Sequence, residues 1–139
     1  MQLAWTYPGR SCRFRNICRH TPRADVALDT FPYHGTATTC DALYNGVPVV
    51  TLAGLAHVSR VGVSLLHAIG LDGEFVAETP QAYVEIAARL ANDREALTRL
   101  RVEMRPRMLA SPLMYPSDLA REFESALRQV WRRWCTPVE

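Results

Sequence analysis

One stretch, residues 25–52, constrains the fold more than any other part of the sequence. Its first apolar run, residues 26–28, lies between two aspartates and is short, as expected of a buried strand. Pro32 and Gly35 then mark a loop, and a second apolar run occupies residues 47–52. We expect a helix between the two runs, and we expect Gly46 to end it because glycine tolerates the left-handed backbone of many helix ends. The order strand, helix, strand predicts a βαβ unit, which builds a parallel sheet.

The predicted start of this helix is rich in hydroxyl side chains, with Thr36, Thr38 and Thr39 ahead of its apolar positions. The first turn of a helix has unpaired N–H groups and a partial positive charge, so it suits an anion such as phosphate. Gly35 would let the backbone approach a ligand, the three hydroxyls could donate to phosphate oxygens, and Asp41 could accept from sugar hydroxyls. These residues are therefore the candidate binding site.

A simpler interpretation of the same residues stays open. The threonines would then only cap the helix, and Asp41 would only complement the helix dipole. The stretch matches neither the Gly-rich dinucleotide fingerprint nor the P-loop, so spacing alone does not separate the two interpretations.

The rest of the chain has mainly helical periodicity. Ser59 is expected to cap a helix that runs to Ile69, residues 75–77 to form a short extended piece, and Thr79 with Pro80 to begin another helix. Ser117 is expected to cap the last helix. The apolar positions of that helix are Leu119, Phe123, Leu127, Val130, Trp131 and Trp134. An aromatic face of this kind is either core or a docking surface for another domain.

Composition excludes some functions. The 16 basic and 14 acidic residues nearly balance, so charge does not indicate a nucleic-acid or membrane partner. All basic residues are arginine, which rules out lysine-based catalysis by this polypeptide. The four cysteines form no CxxC pair and no zinc spacing, so we expect reduced thiols in a cytoplasmic protein without a metal site. No apolar run reaches the roughly 18 residues of a membrane-spanning helix.

Residues 1–23 differ from the remainder, because five arginines occur there without any acid. We expect an atypical, poorly ordered basic segment. A basic arm that binds phosphate or nucleic acid is the alternative. Residues 24–139 then form the folded domain.

Several separated motifs resemble those of the C-terminal catalytic lobe of protein O-GlcNAc transferases, with bacterial, tetratricopeptide-linked and SPINDLY-like members the most similar. The central motifs are DVALDTFPYHG at residues 25–35, TATTCDAL at 36–43 and GVPVVTL at 46–52. Shorter agreements are SRVG at 59–62, ASPL at 110–113 and WRRW at 131–134. The motifs occur in the family's order, and together they cover about residues 24 to 135.

The resemblance implies an α/β fold: a Rossmann-like parallel sheet with flanking helices, forming the C-terminal half of a two-lobed GT-B glycosyltransferase with a helical C-terminus. It implies a UDP-GlcNAc donor, inverting transfer of GlcNAc to Ser or Thr hydroxyls of a protein acceptor, and no metal or other cofactor. Thr38 matches a family hydroxyl that holds the pyrophosphate, and Asp41 matches the acid that holds the ribose. Ala37 stands where the family often has a first threonine, with Thr36 and Thr39 as neighbouring hydroxyls.

The resemblance also implies that part of the enzyme is missing. The first lobe, a possible tetratricopeptide domain and the family's uracil-contacting Lys and His have no match in this chain. We therefore expect the chain to be inactive alone, and its catalytic residues stay unknown. Two alternatives remain: a non-catalytic interaction module that docks through the face of Phe123, Trp131 and Trp134, and a transferase that uses another UDP- or ADP-sugar.

Overall fold

A computed structural model describes residues 24–136, so the expectation for residues 1–23 lies outside the described residues. Three parallel strands form one sheet in the order β1–β2–β3: β1 Ala27–Leu28, β2 Val49–Leu52 and β3 Val76–Ala77. Ala27 pairs with Val49, and Thr51 pairs with Val76. The predicted βαβ unit and its parallel pairing are confirmed. Both predicted apolar runs are buried, although the strands cover only part of each.

Helices follow or connect these strands. The helices are α1 Ala37–Tyr44, α2 Val61–Ala68, α3 Asp72–Phe75, α4 Pro80–Asn92, α5 Arg94–Ala110 and α6 Pro116–Cys135, with 3-10 turns at His57–Ser59 and Pro112–Met114. Among these, none is long and apolar enough to span a membrane. Gly46 follows α1 with a φ of 79°, which confirms the expected helix end. A Cβ there would lie 2.9 Å from the Arg101 carbonyl oxygen, so this turn also permits the close approach of α5.

The core lies between the sheet and its helices. β2 is its centre, because Val49, Val50 and Thr51 have almost no exposed surface. Leu43 of α1 and Leu66 of α2 are fully buried, as is Met104 of α5. The sheet therefore holds the starts of α1 and α2 near the carboxyl ends of its strands, where open α/β sheets bind ligands.

Two predicted caps are wrong. Ser59 belongs to the 3-10 turn, where its Oγ donates to the Ala56 carbonyl oxygen, and α2 begins only after Arg60. The last helix begins one residue before Ser117, at Pro116, with Tyr115 at the N-cap and no side-chain cap. Proline fits the first helical position because its missing N–H would be unpaired there anyway.

The final helix α6 differs from the others because none of its 20 residues is buried. Its apolar stripe is largely in solvent: Phe123 is 63%, Trp131 67% and Trp134 82% exposed. α6 packs mainly against the 3-10 turn that precedes it. Within residues 24–136, this aromatic face has no core to join.

Candidate functional site

A buried carboxylate, Asp29, follows β1 directly and organises the loop before α1. Its Oδ1 accepts from the backbone N–H of Thr30 at 3.0 Å and of Gly35 at 2.8 Å. Its Oδ2 accepts from the Thr51 hydroxyl at 2.9 Å. The side chain is only 2% exposed, and three donors compensate the cost of burying its charge. Asp29 thus fixes where the chain turns into α1.

His34 is buried beside Asp29 and completes this cluster. Its Nδ1 accepts from the backbone N–H of Gly62 at 3.1 Å, while its Nε2 lies 3.0 Å from the Leu52 carbonyl oxygen. A ring nitrogen that accepts cannot hold a proton, so Nε2 is the donor and the imidazole is neutral. The 3.4 Å approach of His34 Nδ1 to the Asp29 carboxylate is therefore a packing contact rather than an ion pair.

The start of α2 fits against this cluster because Gly62 has no side chain. A Cβ at that position would overlap Asp29 Oδ2 and would lie 2.6 Å from Thr51 Oγ1 and 3.1 Å from His34 Nδ1. Only glycine allows the backbone to come so near the buried polar atoms. The starts of α1 and α2 therefore meet on one hydrogen-bonded cluster.

Tyr83, in α4, connects a third helix to the same point. Its hydroxyl donates to the Asp29 carbonyl oxygen at 2.7 Å. Burial, and then the negative charge of Asp29, raise the pKa of Tyr83 to about 12. The phenol therefore stays a neutral donor throughout the physiological range.

The first turn of α1 has no cap. Thr36 has φ −105° and ψ −71°, a helical backbone, and its side chain accepts no hydrogen bond from the helix. The first internal backbone bond is from Cys40 N–H to the Thr36 carbonyl oxygen at 3.0 Å. The preceding N–H groups of α1 have no partner within the helix. The interpretation of Thr36 as a side-chain cap is therefore wrong.

A cavity of about 280 Å³ opens beside this turn. Gly35, Thr38 and Thr39 line it, together with the end of β1 at Leu28 and Asp29. Thr38 is half-buried, and no hydrogen bond within residues 24–136 involves its hydroxyl. Its side chain therefore lines the cavity without a hydrogen-bond partner among the described residues.

The remaining candidate residues, Thr36 and Asp41, are not among those that line this cavity. Thr36 is exposed, and Asp41 lies three residues after Thr38 on the same helix, which places these two on neighbouring positions of one face. Asp41 is half-buried, and no donor within residues 24–136 binds its carboxylate. Burial and the nearby Asp41 charge raise the pKa of the Cys40 thiol, which therefore stays protonated at neutral pH.

Arg60 shows how a candidate cation can belong to the scaffold. Its guanidinium donates to the Gly54 carbonyl oxygen at 3.1 Å and forms no salt bridge with Asp72 or Glu74. His67 instead pairs with Asp72 at 2.9 Å on the surface. In the part of the chain that the structure describes, no three His, Cys, Asp or Glu side chains are grouped to hold a metal ion.

Sequence reasoning missed the residues that shape the site. Asp29, His34, Thr51 and Gly62 lie within the family motifs quoted above, but those motifs assigned none of them a role in the site. One available signal was a charged residue immediately after a buried strand, because a carboxylate there must find donors. The pairing of His34 with the distant Gly62 amide has no sequence signal.

Comparisons with known proteins agree on one family. The model of Glycosyl transferase family 41 matches residues 15–122. A Hordeum vulgare protein named "Probable UDP-N-acetylglucosamine--peptide N-acetylglucosaminyltransferase SPINDLY" is 50% identical over 111 residues, covering 80% of this chain and 12% of that protein. A Caenorhabditis elegans protein named "UDP-N-acetylglucosamine--peptide N-acetylglucosaminyltransferase" is 38% identical over 111 residues, covering 80% of this chain and 10% of that protein.

A solved structure extends the agreement to three dimensions. A mutant of the Thermobaculum terrenum O-GlcNAc transferase superposes with a TM-score of 0.81 at 37% identity, covering 89% of this chain and 24% of that chain. The three-stranded parallel sheet, its flanking helices and the helical C-terminus thus correspond to part of a GT-B fold. The chain spans about an eighth of the plant relative's length.

Proposed function

This chain belongs to glycosyl transferase family 41, and from that premise we propose that residues 24–139 form the lobe that binds the nucleotide sugar in an O-GlcNAc transferase-like enzyme. The proposed donor is UDP-GlcNAc, and the proposed acceptor is a protein Ser or Thr hydroxyl. The names of the relatives support this donor and this acceptor class. We also propose a cytoplasmic location, where the free thiols Cys40 and Cys135 would stay reduced.

The observation that carries the proposal is the uncapped start of α1. An α-helix of eight residues presents unpaired N–H groups and a partial positive charge beside an open cavity, at the carboxyl end of a parallel strand. A diphosphate suits such a position because its oxygens accept hydrogen bonds and its charge opposes the helix dipole. Thr38 would add a hydroxyl donor to the same anion.

Asp41 gives the proposed site its orientation. A nucleoside diphosphate places its ribose beside the phosphates, and a free carboxylate three residues after Thr38 can accept from ribose hydroxyls. In the proposed reaction an acceptor oxygen attacks the anomeric carbon from the face opposite the departing UDP, the bond from that carbon to the phosphate oxygen breaks, and the acceptor's hydroxyl proton passes to a base of the complete enzyme or to water. The α1 start would stabilise the negative charge that develops on UDP.

Transfer is proposed to require more protein than this chain supplies. In the family, the donor lies in a cleft between two lobes. The match covers 24% of the Thermobaculum terrenum chain, which is therefore about four times as long as its aligned part. We expect the purified chain to bind UDP without turning over UDP-GlcNAc. Release of free UDP from UDP-GlcNAc in the presence of this chain and an acceptor peptide would contradict that expectation.

A second candidate function rests on α6. Its exposed aromatic stripe is much larger than the isolated apolar residues found on most surfaces. We propose as the alternative that the chain is a non-catalytic module which docks through Phe123, Trp131 and Trp134 to another protein domain. This function needs no nucleotide, so a nucleotide-binding measurement separates the two.

Isothermal titration calorimetry with UDP tests the first proposal. The parent chain should release or absorb heat with a saturable isotherm, and Thr38→Ala and Asp41→Ala should each weaken the affinity about tenfold, since each removes a hydrogen bond to or from a charged group. Thr79→Ala is the matched control, because that hydroxyl caps α4 away from the cavity. No heat with the parent chain would favour the docking module.

A further inference from the structure

We propose that Asp29 is the positioning residue of the nucleotide-sugar site, acting through the Gly35 turn and, by way of Thr51 and His34, through the start of α2. This inference rests on the proposed function, because it assigns how the phosphate-binding turn is held. Asp29 itself does not contact the ligand. Its carboxylate is 2% exposed and is surrounded by protein donors.

The first step of the argument concerns the Gly35 amide. Its N–H is bonded to Asp29 Oδ1 at 2.8 Å and is therefore not a ligand donor, while the expectation that Gly35 lets the backbone approach a ligand stays a prediction. The bond instead fixes the residue immediately before the free N–H groups of α1. A Cβ on Gly35 would overlap Thr38 Oγ1 and would lie 3.0 Å from Thr39 Oγ1, so the turn is packed against the proposed phosphate donors. Fixing Gly35 therefore fixes Thr38.

The second step concerns charge. An acid close to a phosphate site would repel the ligand if its charge were free. Here Asp29 receives two backbone N–H bonds and the Thr51 hydroxyl, and these donors stabilise its charge in the buried position. Its oxygens are thus occupied by protein donors, so the carboxylate holds the turn without competing for the free N–H groups of α1.

The third step connects two helices. The carboxylate binds Thr51, the Thr51 hydroxyl lies 3.3 Å from His34 Nδ1, and the same nitrogen accepts from Gly62 N–H in the first turn of α2. The one Thr51 proton goes to Asp29, so the contact between Thr51 and His34 is packing rather than a hydrogen bond. Moving the α2 start nevertheless breaks the Gly62–His34 bond, one residue before Gly35, and separates Gly62 from the Asp29 carboxylate against which it packs. The cluster therefore sets the geometry of the phosphate turn relative to the second helix.

Amide hydrogen exchange measured by NMR on the full chain tests this arrangement without any ligand. Asp29→Ala should raise the exchange rate of both the Gly35 and the Gly62 amides about tenfold or more, since one cluster protects both. Asp29→Asn, which keeps an acceptor oxygen, should restore most of the protection. Tyr83→Phe is the control, because it removes a hydrogen bond to the Asp29 main chain but leaves the carboxylate contacts intact.

UDP affinity, measured on the same variants well below their unfolding temperatures, completes the test. Asp29→Ala should weaken binding about tenfold or more, because misplacing a preorganised turn is costly. Asp29→Asn should remain within about threefold of the parent, and Tyr83→Phe should match it. If Asp29→Ala does not fold, Thr51→Val replaces it and should raise Gly62 exchange and weaken binding about threefold.

The outcomes separate this inference from the proposed function. The positioning role is overturned, and the proposed function stands, if the parent binds UDP but Asp29→Ala or Thr51→Val leaves the affinity unchanged. The same variants would also have to leave the exchange rates of the Gly35 and Gly62 amides unchanged. Equal losses in Tyr83→Phe and Asp29→Ala also overturn the positioning role, because the carboxylate would then have no special part. Absence of UDP binding by the parent overturns the proposed function and the site role with it, whereas the exchange data still decide whether Asp29 holds the two helix starts.

Discussion

Two helices of this protein, α1 and α4, have a threonine at the N-cap position, but only one of the two side chains caps its helix. Before α4, Thr79 is extended, with φ −132° and ψ 152°, and its hydroxyl accepts from the Ala82 N–H at 3.2 Å. Before α1, Thr36 has a helical backbone and accepts nothing from its helix. The residue type is the same, so the difference comes from the chain that precedes each helix.

The comparison shows how a helix start is kept available for a ligand. An N-cap residue whose side chain accepts from the helix typically has a non-helical backbone. In α1 the Thr36 backbone is helical and its side chain does not cap, while the Asp29–Gly35 bond fixes the residue before it. α4 satisfies its own donors and serves the fold, whereas α1 leaves its donors beside a cavity.

The largest expected effect on stability comes from adding a side chain at Gly62, where α2 packs against the buried polar cluster of Asp29, His34 and Thr51. Gly62→Ala should lower the free energy of unfolding by about 3 kcal/mol, because the new Cβ overlaps the Asp29 carboxylate and disturbs a buried polar cluster. Gly73→Ala is the matched control: it also lies second in its helix but meets nothing within 4 Å. Chemical denaturation should show the control unchanged or up to about 1 kcal/mol more stable. Equal effects of the two substitutions would refute the close packing at α2.

An intermediate effect is expected from Tyr83 at high pH. Because folding raises the pKa of Tyr83 from 10.0 to about 12, the folded state holds this proton more tightly than the unfolded state. The resulting stability is complete below about pH 10 and is lost as pH rises towards 12. For a half-exposed phenol we expect about 1 kcal/mol after solvent screening. The free energy of unfolding of the parent, measured by chemical denaturation, should therefore fall more steeply between pH 10 and 12 than that of Tyr83→Phe. Parallel curves for the two proteins would contradict this.

The smallest effect compares the two threonines directly. Thr79→Ala removes a cap and should cost about 1 kcal/mol of stability. Thr36→Ala removes a hydroxyl that caps nothing, so we expect a change within about 0.5 kcal/mol. Thermal unfolding of both variants at pH 7 measures the difference. A loss of similar size in Thr36→Ala would mean that α1 has a cap in solution.

Much of the fold was predictable because it depends on local patterns. The βαβ unit followed from two apolar runs and an intervening glycine-terminated helix, and the Thr79–Pro80 start followed from cap chemistry. The helix cap predicted at Ser59 is wrong because the Ser59 hydroxyl donates to the Ala56 carbonyl oxygen within the 3-10 turn. Such competition between a cap and a turn is decided by backbone geometry, which residue type alone does not give.

The site was predictable only in part. Gly35, Thr38 and Thr39 were expected near the helix start, and they line the cavity, but their role as ligand contacts stays a prediction. Asp29 and Gly62 were not recognised, because their contact joins residues that lie 33 positions apart in the sequence. A buried polar cluster built across strands and helices depends on tertiary packing, which no local pattern encodes.

The most direct test of the account is a UDP titration followed by the backbone amide signals of the full chain. We predict that the largest chemical-shift changes occur at Thr36, Ala37 and Thr38, where the N–H groups are free, while the Ala82 amide under its Thr79 cap does not move. Saturating UDP without any change at the start of α1, or with larger changes at the start of α4, would contradict the claim that the uncapped helix is the diphosphate site.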